Sequence, residues 1–210
     1  MLQQLLAHKI IVAIRGVSLE QCKKTVQALR DGGIRFVEFT YDQQSQNHSI
    51  TLKAIEYAAS IDEIHVGVGT VLTPHEAKLA YDAGAKYIIS PSVNRAVIET
   101  TKTLGLLSIP GAFSPTEIIQ AHQWGADLIK LFPAVNLGIS YIKAIRAPIS
   151  HIPIMVMGGI DDNNMNEYFQ AGAAAIGVGS NIANNKLINE GNFDQITRLA
   201  QLYLKKIAEQ

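Results

Sequence analysis

The sequence predicts an α/β fold, a single compact (β/α)8 TIM barrel that spans residues 1–210. Three observations support this prediction: eight short apolar runs, amphipathic helical stretches between them, and strand starts that lie roughly 20 to 30 residues apart, the length of a βα unit. Strands that are apolar almost throughout are typical of a parallel sheet covered by helices. Eight such units suit closure into a barrel, with tight loops because the chain is shorter than the roughly 250 residues typical of that fold.

The alternative is an open, doubly wound sheet, which usually has fewer strands and a glycine-rich first turn. The segment "IRGVS" after the first predicted strand contains a single glycine. The dinucleotide-binding fingerprint is therefore missing, and the barrel is the better prediction.

The eight predicted strands, numbered first to eighth along the chain, share a short run of apolar residues bounded by turn-forming residues. They are KIIVAIR (9–15), FVEFTY (36–41), HVGVGTVL (65–72), YIISPS (87–92), LLSIPGAF (106–113), DLIKLFPA (127–134), PIMVMGGI (153–160) and AAIGVGSNI (174–182).

The helices between them begin and end at clear signals. Three capping boxes are predicted, at Ser18 with Gln21, Thr73 with Glu76, and Ser114 with Glu117, the last two with proline at the first helical position. Glycines follow the helical stretches at positions 32–33, 84, 125 and 172 and should end them.

Composition excludes several classes of protein. Hydrophobic residues make up 48% and charged residues 17%, which is typical of a globular domain and not of a disordered one. Lys plus Arg and Asp plus Glu both number 18, so the formal net charge is zero. That balance argues against nucleic acid or an anionic membrane as partner, because both favour a basic surface.

The expected compartment is the cytoplasm. No secretory signal pattern opens the chain, and no apolar run approaches the roughly 20 residues that span a bilayer. The one cysteine, Cys22, cannot form an intrachain disulfide and fits a reducing compartment. It lies in a helical pattern, where we expect a buried and inert thiol.

A lysine interrupts the sixth predicted strand. Lys130 lies within "ADLIKLFPA", and lysine is rarely buried without a partner. Burial disfavours the charged ammonium, so a lysine in such a strand tends to lose its proton. The alternative is that the side chain reaches water from the end of the strand.

Polar residues and glycines cluster where the predicted strands end, the place where barrel enzymes carry their active sites. In strand order they are Arg15, Glu38 and Thr40, Gly69 and Thr70, Ser90 and Pro91, Pro110 and Gly111, Lys130, Gly158 and Gly159, and Gly179 and Ser180.

Residues two apart on a strand share a face, so Glu38 pairs with Thr40 and Lys130 with Phe132. If these faces form the barrel interior, a carboxylate and an amine point into one confined space. They could form a charge pair that serves only to fix the strand register, or they could share a proton for chemistry.

The last two strands end in glycine turns, "MGGI" and "VGS". Glycine allows a ligand to approach the backbone, and the free amides at a helix start attract anions. Barrel enzymes often bind phosphate with the loops after strands seven and eight. We therefore predict that a phosphate binds there, although turns need glycine in any case.

Together these features indicate Schiff-base chemistry, the chemistry of a class I aldolase. A desolvated neutral amine attacks a ketone and becomes a cationic imine, while a nearby carboxylate moves protons. Neither a cofactor nor a metal is required. The histidines are scattered and form no ligand cluster; they are His8, His48, His65, His75, His122 and His151.

Several segments resemble the bacterial 2-keto-3-deoxy-6-phosphogluconate / 4-hydroxy-2-oxoglutarate aldolases. They include VAIRG, GGIRFVEFTY, VGVGTVLTPHEAKLAYDAGAKYIISPSVN, IPGAFSPTEIIQAHQWGADLIKLFPA and GGIDDNNMNEYFQAGAAAIGVGSNI. The resemblance runs from about residue 8 to residue 183, in order and with the family's spacing.

The resemblance implies a role for each matching residue. Lys130 matches the Schiff-base lysine and Glu38 the general acid/base. The remaining matches are substrate-binding: Thr70, Pro91 and Phe132 around the pyruvyl group, Gly111 beside the site, and Gly158, Gly159, Gly179 and Ser180 around the distal end. We add Thr40, which shares a face with Glu38. The resemblance also implies a homotrimer.

The sequence departs from the family at two positions. Some members have an arginine four residues after the glutamate, where this chain has Asp42. Other branches carry an arginine at the end of the first strand, so we assign the carboxylate clamp to Arg15. Met157 stands where phosphogluconate-type members usually have threonine, which leaves the preferred sugar acid open.

The expected reaction is cleavage of a phosphorylated 2-keto-3-deoxy sugar acid, or of 4-hydroxy-2-oxoglutarate, to pyruvate plus glyceraldehyde 3-phosphate or glyoxylate. Two alternatives remain. One is another phosphate-binding barrel enzyme, such as a sugar-phosphate isomerase or synthase, and the other is a catalytically silent barrel that binds sugar acids.

Overall fold

The computed structural model describes residues 1–45 and 47–209, which form nine strands and ten helices. The strands are β1 (Ile10–Ile14), β2 (Phe36–Thr40), β3 (His65–Gly69), β4 (Tyr87–Ile89), β5 (Leu107–Ile109), β6 (Gly111–Ala112), β7 (Ile129–Leu131), β8 (Ile154–Met157) and β9 (Ala175–Val178). The helices are α1 (Leu2–His8), α2 (Leu19–Asp31), α3 (Ser49–Ala59), α4 (Pro74–Asp82), α5 (Arg95–Thr103), α6 (Pro115–Gln123), α7 (Ala134–Arg146), α8 (Met165–Gln170), α9 (Asn185–Asn189) and α10 (Phe193–Ala208).

The strands form a nearly closed parallel barrel. Their order is β5-β4-β3-β2-β1-β9-β8-β7-β6, so the two ends of the sheet are two strands separated only by Pro110. Proline has no N–H to donate, which interrupts the ladder at that residue. Its carbonyl still accepts the Lys130 amide at 2.9 Å. The predicted (β/α)8 barrel is confirmed, with the fifth predicted strand divided into β5 and β6.

All eight predicted strands exist, but each is shorter than predicted. The regular hydrogen bonding stops where the polar residues and glycines begin, for example after Gly69 in the third strand and after Met157 in the seventh. Helix α1 was not predicted, because seven residues show too little periodicity.

Apolar side chains pack inside the barrel and form its interior layer. Those side chains, all buried, belong to Leu5, Ile11, Phe36, Tyr87, Ile89, Ile109, Leu128, Met155 and Ala175. Leu5 comes from α1, so this short helix covers the amino-terminal end of the barrel. A larger core between the strands and the outer helices accounts for most of the remaining buried residues.

Three interior glycines make room for large side chains from neighbouring strands. A Cβ atom on Gly67 would lie 2.1 Å from the Tyr87 ring, and one on Gly69 would lie 1.6 Å from Oε1 of Glu38. A Cβ on Gly177 would lie 2.8 Å from the sulfur of Met157. Each contact is far inside van der Waals distance, so these positions accept only glycine while their partners stay in place.

The predicted helix signals are confirmed. The Ser18, Thr73 and Ser114 side chains each accept the third helical amide, and the Gln or Glu at that position completes each capping box. Glycines with positive φ follow the helices at 33, 84, 125 and 172. Among the described helices, none has the length and apolar character needed to cross a bilayer.

Cys22 is buried in α2, as predicted. Burial raises the pKa of its thiol to about 11, so the thiol stays protonated and unreactive at neutral pH.

Candidate active site

Glu38 of β2 and Lys130 of β7 both point into the barrel. Alternation along each strand places them on the same face as Phe36 and Leu128, which belong to the interior layer. Glu38 is fully buried and Lys130 is 3% exposed. The sequence prediction that a carboxyl group and an amine share the interior is thus confirmed.

The electrostatics of both groups favour their neutral forms. Burial raises the pKa of Glu38, and the charges of Lys130 and Arg15 only partly offset that effect. Burial also lowers the pKa of Lys130; the Glu38 charge opposes the shift, whereas the Arg15 charge adds to it. Desolvation is the largest cause in both cases, so the same low-dielectric space shifts the amine and the carboxyl group toward their neutral forms.

The two groups do not form a structural ion pair. Within the described chain, neither carboxyl oxygen of Glu38 has a hydrogen-bond partner. A buried carboxyl group that only fixed the strand register would be expected to carry such partners. The Nζ atom of Lys130 lies 4.5 Å from the centroid of the Phe132 ring, which lines the adjoining cavity.

A cavity of about 520 Å³ opens at the carboxyl ends of β1, β7, β8 and β9. Seven residues predicted from the sequence line it, namely Arg15, Phe132, Met157, Gly158, Gly159, Gly179 and Ser180. The sequence analysis missed the other lining residues, which are Ala13, Ile160, Gly177, Asn181, Ala183, Asn184 and Asn185. The asparagines in "SNIANN" were the one available signal, because carboxamides often bind polar ligands.

Arg15 is exposed and its guanidinium makes no hydrogen bond or ion pair with any residue that the structure describes. Its charge nevertheless acts on both Glu38 and Lys130. It can therefore hold an anion beside the reacting groups.

The glycine turns have different roles in the two loops. Gly158 and Gly159 have φ of 91° and 79°, which favours glycine, and a Cβ on Gly159 would lie 2.5 Å from Val135. A Cβ on Gly179 would make ordinary van der Waals contact, with the Ala13 carbonyl oxygen 3.8 Å away.

The amides that could bind an anion belong to a single turn and not to the longer helix that follows. The carbonyl of Gly179 accepts the amides of Ile182 and Ala183, which closes one helical turn ahead of α9. The first amides of such a turn have no partner within it. The prediction that the helix starts directly after the glycine turn is wrong for this loop, because α9 begins only at Asn185. The same holds for the loop after β8, where α8 begins only at Met165.

Six predicted residues do not line the cavity. Two are the buried Glu38 and Lys130, and the other four lie on the β2–β6 half of the barrel mouth. Thr40 and Pro91 are half-buried there, and Thr70 has a left-handed φ of 59°. A Cβ on Gly111 would lie 2.4 Å from the Pro91 carbonyl, so this glycine allows the barrel to close. Glu38 and Lys130 thus lie between two groups of predicted residues.

Asp42 lies outside both groups. It is exposed, and its carboxylate accepts the Gln44 amide at 3.0 Å. It is a turn residue, and its carboxylate caps the turn that follows β2.

Comparisons with known proteins agree with this geometry. The model of the KDPG and KHG aldolase family matches residues 2–199. The probable 2-dehydro-3-deoxy-6-phosphogalactonate aldolase of Rhizobium meliloti is 34% identical over 174 residues, covering 82% of this chain and 81% of that protein. The 2-dehydro-3-deoxy-phosphogluconate aldolase of Treponema pallidum is 34% identical over 197 residues, covering 90% of each chain.

Solved structures give the same result. The KDPG aldolase from Legionella pneumophila, with pyruvate captured as a covalent carbinolamine, superposes with a TM-score of 0.87 at 29% identity. The match covers 96% of this chain and 97% of that one. On the family model, the curated relatives and the shared barrel, the chain belongs to the KDPG and KHG aldolase family, whose members are carbon–carbon lyases.

Proposed function

We propose that this enzyme is a class I aldolase that cleaves a phosphorylated 2-keto-3-deoxy sugar acid to pyruvate and an aldehyde, with Lys130 as the Schiff-base residue. The observation that supports this most is a buried amine and a buried carboxyl group in one interior with no ion pair between them. The relative from Legionella pneumophila, with its captured carbinolamine, supports the same chemistry.

Lys130 begins the reaction. Its neutral amine attacks the ketone carbon of the substrate, and loss of water from the carbinolamine leaves a cationic imine. Burial lowers the pKa of this lysine and so favours the neutral, nucleophilic amine.

Glu38 moves the protons. Its carboxyl group donates the proton that carries water away, and its carboxylate then takes the proton of the C4 hydroxyl as the C3–C4 bond breaks. The bonding electrons pass into the imine and form an enamine while the aldehyde leaves. Protonation of the enamine carbon and hydrolysis release pyruvate and restore the lysine.

Binding is divided between the two halves of the mouth. Thr40, Thr70 and Pro91, beside Glu38, hold the pyruvyl part together with Phe132, and Arg15 holds its carboxylate. The distal phosphate occupies the cavity against the glycine turns after β8 and β9, because amides and a cavity of this size suit that group.

The test of Lys130 is trapping with pyruvate and borohydride, read as an added mass on the intact protein and located by peptide mapping. We expect the adduct on Lys130, and we expect Lys130→Met to abolish both trapping and cleavage. Lys143→Met, which removes an exposed lysine from α7, should behave as wild type. An adduct on another lysine would overturn the assignment.

The substrate choice is a second proposal. Relatives of this chain are named for phosphogalactonate and for phosphogluconate. Met157 lines the cavity and offers only a weak sulfur acceptor where a threonine would offer a hydroxyl. We expect both C4 epimers to be cleaved, because rejection of an epimer needs a buried hydrogen-bond partner.

Values of kcat/KM for the two epimers, on wild type and on Met157→Thr, test this. The variant should shift the ratio toward the gluconate form. Wild-type enzyme that already rejects the galactonate form would show that another residue reads C4.

The oligomeric state and the cellular compartment are proposed from the family resemblance and the composition. We propose a homotrimer, which sedimentation equilibrium would test. We also propose that the enzyme works in the cytoplasm, in keeping with its single reduced cysteine.

A further inference from the structure

One buried carboxylate joins the loop after β2 to the loop after β3. Glu76 of α4 is 7% exposed, and its Oε2 atom accepts the amides of Leu72 at 2.7 Å and Thr73 at 3.0 Å. Its Oε1 atom accepts the side-chain amide of Gln43 at 2.9 Å, and the His48 imidazole lies 3.8 Å away. Burial alone would raise the pKa of Glu76, but these hydrogen bonds lower it, so the carboxylate is charged at neutral pH.

The same nitrogen of Gln43 also donates to the carbonyl of Thr70, at 2.8 Å. Thr70 has a φ of 59°, a conformation that a β-branched residue rarely adopts. Such a conformation persists only where the surroundings fix it, and it is found most often at functional sites. Gln43, anchored on Glu76, is the side chain that fixes the Thr70 carbonyl.

Thr70 directly follows the glycine that contacts Glu38. A Cβ atom on Gly69 would lie 1.6 Å from Oε1 of Glu38, and the Gly69 carbonyl accepts the Tyr41 amide at 3.0 Å. The path of residues 69 and 70 therefore forms the wall of the site beside the buried carboxyl group. Any change in the Thr70 backbone moves that wall.

We infer that Gln43 and Glu76 are positioning residues, which hold Thr70 in its left-handed conformation and so keep the pyruvyl side of the site in shape. This inference rests on the proposed function, in which Thr70 contacts the pyruvyl part of the substrate. Neither positioning residue touches the substrate. Both act through hydrogen bonds to the backbone of the loop after β3.

The capping box of α6 provides the comparison. Glu117 accepts the amides of Phe113 at 2.9 Å and Ser114 at 2.7 Å, as Glu76 does for its own pair. Among the described residues, no side chain from the loop of residues 41–45 reaches it. Glu117 therefore caps a helix without the bridge that Glu76 adds.

The first experiment compares Gln43→Glu with Gln44→Glu. Both add one negative charge to the same exposed loop, but only the first removes the donor to Thr70 and places a second carboxylate against Glu76. The measurement is the pyruvate concentration that gives half of the maximal borohydride-trapped adduct. We expect Gln43→Glu to raise it about three- to tenfold, the scale of losing one ordinary neutral hydrogen bond, and Gln44→Glu to leave it unchanged.

Adduct yield at saturating pyruvate should stay at the wild-type level in both variants, since Lys130 itself is untouched. Equal half-saturation in Gln43→Glu and wild type would overturn the inference. An equal rise in both variants would also overturn it, because charge alone would then explain the effect.

The second experiment compares Glu76→Gln with Glu117→Gln. Both should lower the melting temperature, because each weakens a capping box, but only Glu76→Gln should raise the half-saturating pyruvate concentration. A rise in the half-saturating pyruvate concentration in both variants would overturn the inference, because loss of stability alone would then explain the effect. Wild-type enzyme that traps no pyruvate would overturn the proposed function and, with it, this inference, whereas a trapped wild type with unaffected variants overturns the inference alone.

Discussion

At the scale of single residues, the environment of the Glu38 carboxyl group is what supports its proposed role in proton transfer. It is fully buried without a hydrogen-bond partner in the described chain, an arrangement that weakens the fold and is expected only where the group has a use. Burial raises its pKa, which makes the protonated form more accessible than in an exposed carboxyl group.

Glu38→Gln keeps the shape of the side chain and removes that exchange. We expect cleavage to fall about 10²- to 10⁴-fold, the usual contribution of a general acid/base. Exchange of the pyruvate methyl protons with deuterated solvent, followed by NMR, should fall in parallel. The variant should melt no lower than wild type at neutral pH, because an amide cannot ionise in a site where burial disfavours a charged carboxylate. Near-wild-type exchange would assign the base to another residue.

The sequence placed Glu38 and Lys130 correctly because period-two alternation depends only on the strand itself. It could not place Gln43 or the left-handed conformation of Thr70. Those depend on two loops and a helix that meet only in the folded barrel, and a threonine after a glycine has no local signature for positive φ.

At the scale of elements, the two glycine turns are unequal tests of phosphate binding. An alanine at Gly159 would meet Val135 and adopt a strained φ, so a loss of activity there would also report a distorted loop. Gly179 has neither problem. Its would-be Cβ makes only ordinary contact with Ala13, which also lines the cavity.

We therefore expect Gly179→Ala to leave the melting temperature close to that of wild type. It should raise KM for the phosphorylated substrate and reduce its advantage over the unphosphorylated acid, because a methyl group keeps the phosphate from the backbone amides. The measurement is the ratio of kcat/KM for the two acids, with the unphosphorylated one as the internal control. An unchanged ratio would place the phosphate elsewhere.

Strand and helix identity followed from the sequence, whereas strand length did not. Apolar runs continue past the last ladder hydrogen bond, as in "LLSIPGAF", where Pro110 divides one predicted strand into β5 and β6. The asparagine-rich segment after β9 was missed as a wall of the cavity because its position depends on the turn that Gly179 opens.

At the scale of the whole molecule, helix α1 closes the amino-terminal end of the barrel through a histidine that must be neutral. The Nε2 atom of His8 accepts the Arg35 amide at 3.1 Å, and its ring lies 5.6 Å from that of Phe36. Burial, together with the charges of Arg35 and His65, lowers the pKa of His8 to about 4.

This pKa makes the fold sensitive to acid. The unfolded chain binds its proton near pH 6.5, before the folded one does, so the free energy of unfolding should decrease as the pH falls from 6.5 toward 4. The variant His8→Gln keeps an acceptor for the Arg35 amide at every pH. Its free energy of unfolding should therefore decrease less than that of wild type over this pH range. Melting temperatures at pH 7 and 4.5 test this, on a scale of about 2–4 °C per kcal/mol for a domain of this size.

His75→Gln, on the exposed face of α4, is the control and should follow wild type. An equal drop in melting temperature for wild type and His8→Gln would show that other groups, such as the partly buried His65, cause the loss of stability in acid.

Each interior glycine is coupled by packing to a large side chain on a neighbouring strand, so the two positions cannot change size independently. Met157 fills the space over Gly177, so a shorter side chain at 157 leaves a void that an alanine at 177 would fill. Among relatives, the sizes of the side chains at these two positions should therefore covary inversely. The pair of Glu38 and Gly69 is constrained more strongly, because a Cβ at position 69 would overlap the carboxyl group. Relatives that keep this glutamate should therefore keep glycine at position 69.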